Sequence, residues 1–500
     1  MKTRRPNILL AISDDQGWPH ASAYGCRFVK TPAFDRVAAE GVLFDNAFCP
    51  APQCSPSRAG LLTGLNPWQL EEGAVLFSLL PRKYDVYTDL LEDAGYFVGL
   101  TGKGWGPGSV EASGRTHNPA GKSWDSRKCE PQTRSMSRND YAANFADFLD
   151  DRPTDAPFCF WYGAKEPHRA YEQGSGMRAG KRLADVEVPA YLPDCEEVRS
   201  DFLDYGLEID RFDRDLAKMM ALLEKRGELD DTIIVVTGDN GSPFPRAKAN
   251  LYENGMHVPL AIRWGARVPG GRRVTDFVSF VDLAPTFLEA ADVPQRNAMT
   301  GKSILRILES AAEGRVDDTR DAMVCGRERH AYCRPDNRGY PMRSIKTDQF
   351  LYIRNYNPDG WPAGDPDWYG DVDPSPAKDC LLACRDGSDA ARSLFELSFG
   401  KRPPEELYAV NDGTANLKNL ADDPGYGETT RTLHERLEQI LHEQGDPRMS
   451  GKGWIYDTYP YFGRMGGSDG VWGGPVFPGF HEQGAYNHDL GPHTANSARL

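Results

Sequence analysis

Short apolar runs alternate with amphipathic segments over residues 1–340. The strands predicted from these runs are Ile8–Ile12, Phe97–Leu100, Phe158–Tyr162, Ile233–Val236 and Leu260–Ile262. The helices predicted between them include Asp35–Glu40, Tyr87–Ala94 and Asp201–Lys225, where apolar residues recur near the helical period. Strands that alternate with helices are typical of an α/β domain with a mostly parallel sheet.

The pattern changes after residue 340. Ser344–Ile353 predicts a pair of strands, Glu406–Val410 another strand, and Thr430–Gln444 an amphipathic helix that packs on them. We therefore expect a smaller α+β domain with an antiparallel sheet over residues 341–450. Residues 451–500 are rich in glycine, proline, histidine and aromatic residues, which predicts an irregular tail, either ordered or partly mobile.

The composition is acidic, with 58 Lys and Arg against 73 Asp and Glu, a net charge of −15. This balance argues against a general binder of nucleic acids or membrane surfaces, although a local cationic site can still bind an anionic substrate. No apolar run has the length of a membrane span. The first run, Ile8–Ile12, is too short for a signal peptide core. We expect a cytoplasmic protein, or a periplasmic or secreted one if an export signal has been removed.

Polar groups directly follow four of the predicted strands. They are Asp14-Asp15, Thr101-Gly102-Lys103, Lys165-Glu166-Pro167-His168 and Thr237-Gly238-Asp239-Asn240-Gly241. Because the carboxyl ends of strands in an open α/β sheet form its binding crevice, these groups converge if the strands are neighbours. Asp14, Asp15, Asp239 and Asn240 then offer only oxygen ligands, which suit calcium or magnesium and not zinc. Each acidic pair on its own is also explained as a turn or helix cap.

The ten cysteines are irregularly spaced, and Cys380 and Cys384 lack the pattern of a zinc knuckle, so most are expected to be free buried thiols. Cys54 is the exception. Pro56 and Ser57 can start a helix, which places Cys54 near a helix N-terminus that favours anions. Arg58, one turn further, can direct its guanidinium at the same anion. The alternative is a buried cysteine before an ordinary helix.

The segment Cys54-Ser55-Pro56-Ser57-Arg58, with Leu61-Leu62-Thr63-Gly64 after it, resembles the signature of the formylglycine-dependent sulfatases of the alkaline phosphatase superfamily. The resemblance runs from Pro6 to about Asp423. It implies a large mixed, mostly parallel sheet between helices, followed by the smaller C-terminal α+β domain.

The resemblance also implies roles for individual residues. A formylglycine-generating enzyme oxidises Cys54 to formylglycine, and one hydroxyl of the hydrated aldehyde attacks sulfur while the other later expels sulfate. Asp14, Asp15, Asp239, Asn240 and residue 54 hold a cation, usually Ca²⁺, with Mg²⁺ as the alternative. Arg58 steadies the diol. Lys103 and Lys248 bind the sulfate oxygens, and His168 protonates the leaving group.

The chain departs from the family at Trp105, which stands where a histidine usually contacts the formylglycine diol. Indole donates one hydrogen bond but cannot act as a base. His117 is a candidate replacement, and the alternative is that Trp105 only packs.

A narrower resemblance is to the heparan N-sulfatase (sulfamidase) branch, through Asp239-Asn240-Gly241-Ser242-Pro243-Phe244-Pro245, Pro167-His168-Arg169 and Tyr340-Pro341-Met342-Arg343-Ser344. That branch carries arginine where this chain has Lys248. The resemblance predicts a substrate-binding rim, and the alternative is that these residues are surface cations. The predicted rim residues are Trp105, Arg169, His257, His330 and Arg343.

The leading functional prediction is removal of sulfate from a sulfated mono- or oligosaccharide. N-sulfate and O-sulfate both remain open, with O-sulfate slightly favoured by the departures at Trp105 and Lys248. One alternative is a phosphodiester or phosphonate monoester hydrolase on the same formylglycine frame, since phosphate and sulfate are both tetrahedral. Another is a non-catalytic glycan-binding relative. A homodimer is left open.

Overall fold

The computed structural model describes residues 5–410 and 415–463. Fourteen strands lie within these two ranges. In chain order they are β1 Asn7–Ser13, β2 Val42–Phe44, β3 Ala47–Phe48, β4 Phe97–Gly102, β5 Lys122–Ser123, β6 Phe158–Gly163, β7 Thr232–Gly238, β8 Leu260–Arg263, β9 Arg272–Val274, β10 Val278–Ser279, β11 Ala322–Arg327, β12 Met342–Thr347, β13 Phe350–Asn355 and β14 Glu405–Ala409.

Twelve α-helices lie in the same part of the chain. They are α1 Pro32–Glu40, α2 Cys54–Thr63, α3 Tyr87–Asp93, α4 Tyr141–Asp151, α5 Ser175–Arg178, α6 Glu196–Lys225, α7 Glu253–Met256, α8 Leu283–Ala290, α9 Leu305–Glu309, α10 Pro376–Ala383, α11 Asp389–Phe399 and α12 Gly427–Glu443. Every strand and helix predicted from the apolar pattern is present, with ends that differ by a few residues.

The large sheet has eight strands in the order β5-β4-β6-β1-β7-β8-β2-β9. Strands β4, β6, β1 and β7 are adjacent and parallel, whereas β8 runs antiparallel to β7 and β2. The predicted α/β fold with a mixed, mostly parallel sheet is confirmed. The four strands that precede the predicted polar groups are therefore neighbours whose carboxyl ends meet at one edge.

Both faces of the large sheet are buried. In β1, Ile8, Leu10 and Ile12 join one apolar core, and Leu9 and Ala11 join the core on the other face. Helices α2, α3 and α8 contribute to the first core, and α1, α4 and α6 to the second. Side chains alternate across a strand, so covering both faces requires the continuous apolar runs that the sequence shows.

The second sheet is antiparallel, in the order β11-β12-β13-β14. Leu433, Leu437 and Leu441 of α12 recur every four residues and pack with Ile345 and Leu407 of the sheet. Its first strand, β11, lies before the predicted boundary at residue 341, so the chain enters this sheet earlier than the apolar pattern indicated.

The predicted tail is partly described. Over residues 451–463 the chain forms a short 3-10 helix, Gly453–Thr458, after which Tyr459 and Tyr461 are buried. Trp472 and the rest of 464–500 lie outside the described residues. Among the helices of the described chain, none combines the length and apolar character that a membrane span requires.

Candidate active site

The polar groups that follow β1, β4, β6 and β7 meet at one edge of the large sheet. Asp14 and Asp15 follow β1, Lys103 follows β4, and Asp239 follows β7. Lys103 approaches the sheet closely because Gly163 ends β6, and a Cβ there would lie 1.8 Å from the Lys103 carbonyl oxygen. The predicted convergence is what the structure shows.

A cluster of oxygen donors lies at the centre of this edge. Ligand atoms of Asp14, Asp15, Cys54 and Asp239 lie within 4.8 Å of one another, and all four residues are buried. Asp15 has a left-handed backbone (φ 71°), which aspartate tolerates better than most residues, and its N–H donates to Asp239 Oδ1 at 2.9 Å. This hydrogen bond to Asp239 holds the left-handed backbone of Asp15 in place.

Asn240 completes the donor set. Its Nδ2 donates to Asp15 Oδ1 at 2.8 Å, while its buried Oδ1 has no hydrogen-bond partner within the described chain. A buried carbonyl oxygen without a partner is costly unless a cation binds it. Three carboxylates and this amide oxygen therefore fit a hard divalent cation such as Ca²⁺ or Mg²⁺.

Cys54 is the first residue of α2. Its Sγ lies 3.4 Å from Asp14 Oδ1 and 3.8 Å from Asp15 Oδ1, and the residue is 2% exposed. The preceding Gln53 has extended backbone dihedrals and ends the approach to the helix. Burial raises the pKa of the Cys54 thiol well above its usual range, so the unmodified side chain stays a neutral thiol.

Arg58 joins the cluster to the chain that carries Lys103. Its Nε donates to Asp239 Oδ2 at 2.8 Å, and its Nη1 donates to the carbonyl oxygens of Lys103 and Gly104 at 2.7 and 2.9 Å. Its Nη2 has no hydrogen-bond partner in the part of the chain described and lies 3.7 Å from Asp14 Oδ1. Arg58 Nη2 is therefore available to donate to an anion that binds beside Cys54.

Two ammonium groups neutralise the aspartates. Lys103 Nζ donates to both carboxylate oxygens of Asp14 at 2.6 and 2.7 Å, and Lys248 Nζ donates to Asp15 Oδ2 at 2.7 Å. Burial raises the pKa of Asp14 but the Lys103 ammonium lowers it, and the net pKa is about 2. Burial lowers the pKa of Lys248, but the Asp15 carboxylate outweighs it, and the net pKa lies well above the usual value. Asp14 and Lys248 are therefore both charged at neutral pH.

His168 and Asp373 lie beside Lys248 at one end of this cluster. His168 Nδ1 lies 2.5 Å from the Arg169 carbonyl oxygen, which places Nε2 3.3 Å from Lys248 Nζ and 3.7 Å from Asp15 Oδ2. Asp373, which the sequence did not predict, lies 3.4 Å from Lys248 Nζ. It follows no strand and belongs to no motif that we recognised, so no sequence signal pointed to it.

This cluster opens on a cavity of about 460 Å³. Cys54, Asp14, Lys103, His168 and Lys248 lie at one end. The remaining wall residues include Leu76, Phe77, Pro107, Ser135, Ser137, Lys165, Glu166, Glu208 and His330. The volume falls within the usual range for small-molecule sites.

Two predicted rim residues line the cavity without offering a free cation. Arg169 forms a bidentate pair with Asp201, both N···O distances being 2.7 Å, and its Nε donates to the Pro243 carbonyl oxygen. Burial lowers the pKa of His330 to about 3, so its ring is neutral, and its Nδ1 lies 3.1 Å from Gln53 Nε2.

The other predicted rim residues lie elsewhere, and the prediction is corrected for them. His257 stacks between Trp18 and Phe48, and its ring nitrogens lie 2.9 Å from Glu253 Oε1 and the Asp45 carbonyl oxygen. Arg343 is 1% exposed and pairs with Glu328 and Asp446. Each side chain is held in part by a group far away in the chain, Asp45 for His257 and Asp446 for Arg343, which no local pattern reveals.

Trp105 is also not a wall residue. It is 4% exposed and belongs to the apolar core, although the adjacent Gly106 and Pro107 line the cavity. Its packing role is therefore the one the structure supports. His117 lies outside the cavity wall, with its Nδ1 3.1 Å from Thr116 Oγ1, and so does not take the place of the family histidine.

Comparison with known families gives two matches. The family described as Sulfatase matches residues 6–293, and the family described as N-sulphoglucosamine sulphohydrolase, C-terminal, matches residues 246–365. Human N-sulphoglucosamine sulphohydrolase is 28% identical over 491 residues, covering 89% of this chain and 92% of that protein. An ulvan-active sulfatase of Formosa agariphila is 25% identical over 480 residues, covering 88% and 76%.

Solved structures share the fold. A protein in complex with its substrate D-glucosamine-2-N,6-O-disulfate has a TM-score of 0.63 and 20% identity, covering 88% of this chain and 98% of that one. The phosphonate monoester hydrolase of Agrobacterium radiobacter has a TM-score of 0.59 and 18% identity, covering 89% and 97%. At these identities the likeness shows the architecture alone, and it agrees with the alkaline-phosphatase-like fold predicted above.

Proposed function

The chain belongs to the sulfatase family, and we propose that it hydrolyses sulfate groups on a sulfated mono- or oligosaccharide. The observation that carries the proposal is the buried group of Asp14, Asp15, Cys54 and Asp239, which opens on a cavity of saccharide size beside two lysines. The named relatives act on sulfated sugars, which supports the substrate class.

The residues present fit the metal and the modified cysteine that the family implies. Asp14, Asp15, Asp239 and Asn240 would hold Ca²⁺, with Mg²⁺ as the alternative, and the family's maturation enzyme would convert Cys54 to formylglycine. Together these groups would supply a hydroxyl nucleophile for sulfur and a cation that withdraws charge from the sulfate oxygens. A neutral buried thiol at Cys54 is a poor nucleophile, which supports the need for the modification.

The remaining groups of the cluster bind and orient the sulfate. Lys103 and Lys248 place two permanent positive charges beside the attack position, and Arg58 Nη2 adds a donor. Preorganised charge of this kind stabilises the transition state more than the ground state, because negative charge grows on the leaving oxygen or nitrogen. His168, whose Nδ1 is committed to a carbonyl oxygen, presents Nε2 to hold the proton that the leaving group takes.

The experiment is release of free sulfate from a panel of compounds by enzyme produced together with a formylglycine-generating enzyme. The panel contains N-sulfated glucosamine, an O-sulfated hexosamine, an aryl sulfate and an aryl phosphate diester. We expect turnover of at least one sulfated sugar, and the panel then decides between N-sulfate and O-sulfate.

Three results would contradict the proposal. Efficient turnover of the phosphate diester with every sulfate inert would favour the phosphohydrolase alternative. Saturable sugar binding without sulfate release, in protein shown to contain formylglycine, would favour a glycan-binding relative. Turnover of the aryl sulfate alone would remove the saccharide.

A further inference from the structure

The cavity has two chemically different walls. One carries Lys103 and Lys248 of a group that we name the catalytic cluster, which consists of Asp14, Asp15, Cys54, Arg58, Lys103, His168, Asp239, Asn240 and Lys248. The other, which we name the acidic wall, consists of Ser135, Ser137, Glu166 and Glu208. Nothing in the proposed sulfate chemistry uses this second wall, although it borders the same space in which the sugar must lie.

Glu166 and Glu208 are held differently. Both carboxylate oxygens of Glu166 accept a hydrogen bond from the protein: Oε1 from the Ser137 N–H and Oε2 from the Tyr141 hydroxyl, both at 2.8 Å. Glu208 Oε1 accepts from Ser135 Oγ at 2.9 Å, and its second oxygen has no hydrogen-bond partner among the residues described. Glu208 is only 3% exposed, and the surface it retains is on the cavity.

Within the described residues no cation forms an ion pair with Glu208, although the charge of Arg211 lowers its pKa. The nearby Arg211 donates instead to Asp215 Oδ2 at 3.0 Å and to the Asn139 carbonyl oxygen at 2.9 Å. Burying a carboxyl group without a charged partner is unfavourable unless a ligand compensates it. The cost of keeping Glu208 on the cavity is therefore offset only when a hydrogen-bonding group binds there.

The helix that carries Glu208 also contacts the catalytic end. Glu208 lies within the 30-residue helix α6, one turn after Tyr205. The Tyr205 hydroxyl lies 3.2 Å from the Gly17 nitrogen and 3.3 Å from the Asp15 carbonyl oxygen. A single rigid helix thus fixes the distance between the acidic wall and the metal ligands, as a specificity site requires.

We infer that Glu208, supported by Ser135, forms a saccharide subsite that binds neutral hydroxyl or amino groups and rejects a second sulfate or carboxylate. This inference rests on the proposed function and narrows its substrate class to sugars whose far side carries no anion. It replaces the basic rim predicted from the sequence, whose arginines at 169 and 343 are both paired with carboxylates.

The Glu166 carboxylate beside Glu208 repels a second anion in both protonation states of Glu208. Burial and then the Glu166 carboxylate raise its pKa to about 8, so near neutral pH it mostly carries a proton and can both donate to and accept from a sugar hydroxyl. When ionised it repels a second anion by charge. A buried site built around hydrogen bonds also rejects ligands that leave it unpaired.

The test compares three substrates: a monosulfated hexosamine, the same sugar with a second sulfate, and an aryl sulfate too short to reach the acidic wall. Wild-type enzyme should prefer the monosulfated sugar to the disulfated one by at least about tenfold in kcat/KM. Glu208→Ala should raise KM for the monosulfated sugar about 10- to 100-fold, which corresponds to one or two lost hydrogen bonds to a buried group. Its kcat/KM for the aryl sulfate should stay within about threefold of wild type.

Two further variants separate binding from folding. Glu208→Gln keeps the shape and hydrogen-bonding capacity, and it should restore KM for the monosulfated sugar to within about threefold. Glu196→Ala, an exposed position on the same helix, should change nothing. Equal losses on the sugar and the aryl sulfate in Glu208→Ala would show a structural role and overturn the inference.

The inference is also overturned by an unchanged sugar KM in Glu208→Ala, or by equal turnover of the two sugars in wild type. Failure of the proposed function looks different, because wild-type enzyme would then release no sulfate from either of the two sugars.

Discussion

Two buried charged clusters in this protein differ in whether their hydrogen bonds are complete. The catalytic cluster at the ends of β1, β4 and β7 leaves Asn240 Oδ1 and Arg58 Nη2 without hydrogen-bond partners among the described residues, and it opens on a cavity. The other, which we name the Arg343 cluster, consists of Arg343, Glu328, Asp446 and Arg448. In it each guanidinium nitrogen of Arg343 donates, to Asp446, Glu328 and two carbonyl oxygens.

The difference teaches how to separate a binding site from an internal support. Both clusters are buried and both carry arginine beside carboxylates, so burial and charge do not distinguish them. Unpaired donors and acceptors beside a cavity do, because natural proteins leave such atoms uncompensated mainly where a ligand completes them. By this criterion the catalytic cluster has the open donors and acceptors that the proposed cation and anion would complete, and the Arg343 cluster joins β11 and β12 to the chain around Asp446.

Of the substitutions in the two clusters, replacing Cys54 should have the largest effect on turnover. We expect Cys54→Ala to lower kcat for sulfate release by at least about 10⁴-fold, as expected when a covalent nucleophile is removed. The melting temperature should change little, since the thiol makes only weak contacts. Mass spectrometry of the wild-type peptide should show formylglycine. Cys384→Ala, a half-buried cysteine outside the cavity wall, is the matched control, and near-wild-type turnover in Cys54→Ala would refute the mechanism.

Removing a carboxylate of the donor set should have the next largest effect. Asp239→Asn replaces a charged ligand that also orients Arg58, and we expect kcat to fall about 10³-fold, the scale for losing a preorganised charge and part of the cation affinity. Elemental analysis should find about one calcium or magnesium in wild type and less in the variant. Chelation should inactivate wild type, and Ca²⁺ or Mg²⁺ should restore it. Stoichiometric zinc would contradict the oxygen-ligated site.

These first two predictions concern residues that were accessible from the sequence, and the reason is geometric. A parallel sheet brings the carboxyl ends of its strands together, so apolar runs followed by Asp14, Lys103 and Asp239 were sufficient to place those side chains. Asp373 arrives from a loop after β13, and Glu208 lies inside a helix where its charge predicts an exposed position. Neither has a local signal, because their burial depends on contacts between distant segments.

The same reasoning explains the errors at the rim. Arg343 lies within a recognised motif, but Asp446, which pairs with it, is 103 positions away. His257 is fixed by Asp45, 212 positions away. The strand β11 was missed because Ala322–Arg327 carries a charged and a glycine residue among its apolar ones. Pairing between distant segments, unlike the apolar pattern of a single strand or helix, leaves no periodic trace in the chain.

Lys248→Met, a change within the catalytic cluster, should lower turnover, which a change in the Arg343 cluster should not do. The ammonium group lies 2.7 Å from Asp15 Oδ2 in the catalytic cluster, and we expect kcat to fall about 100-fold, or about 3 kcal/mol, as for one preorganised donor. KM for the sugar should change less than kcat. Lys346→Met is the control, because Lys346 is equally buried but pairs with Glu253 away from the cavity. Normal kcat in Lys248→Met would remove this lysine from the catalytic groups.

Arg343→Met should give the opposite result. Loss of this guanidinium leaves Asp446 and part of Glu328 without their buried partner, and the free energy of unfolding should fall by about 3–5 kcal/mol. The kcat of the folded fraction should stay within about threefold of wild type. Urea unfolding followed by fluorescence measures the first quantity and sulfate release the second. A variant of normal stability and reduced kcat would return Arg343 to the substrate rim.

The smallest expected effect is the pH dependence of stability that Glu208 causes. Glu208 is buried like the Arg343 cluster, but like the catalytic cluster it borders the cavity. Its pKa is about 8 in the folded protein, above the ordinary value of 4.5, so the folded state binds the proton more tightly than the unfolded chain does. The resulting stabilisation is fully present below about pH 4.5 and is lost as pH rises through about 8.

Glu208→Gln cannot ionise and lacks this dependence, whereas other titrating groups, such as the buried Asp213, act alike in both proteins and cancel. The unfolding free energy of wild type minus that of Glu208→Gln should therefore fall by roughly 2 kcal/mol between pH 5 and pH 6.5 in urea titrations. Exposed Glu196→Gln should show no such trend. A constant difference across this range would mean that the acidic wall already has a compensating charge, and the distinction between an open and a closed buried cluster would not extend to Glu208.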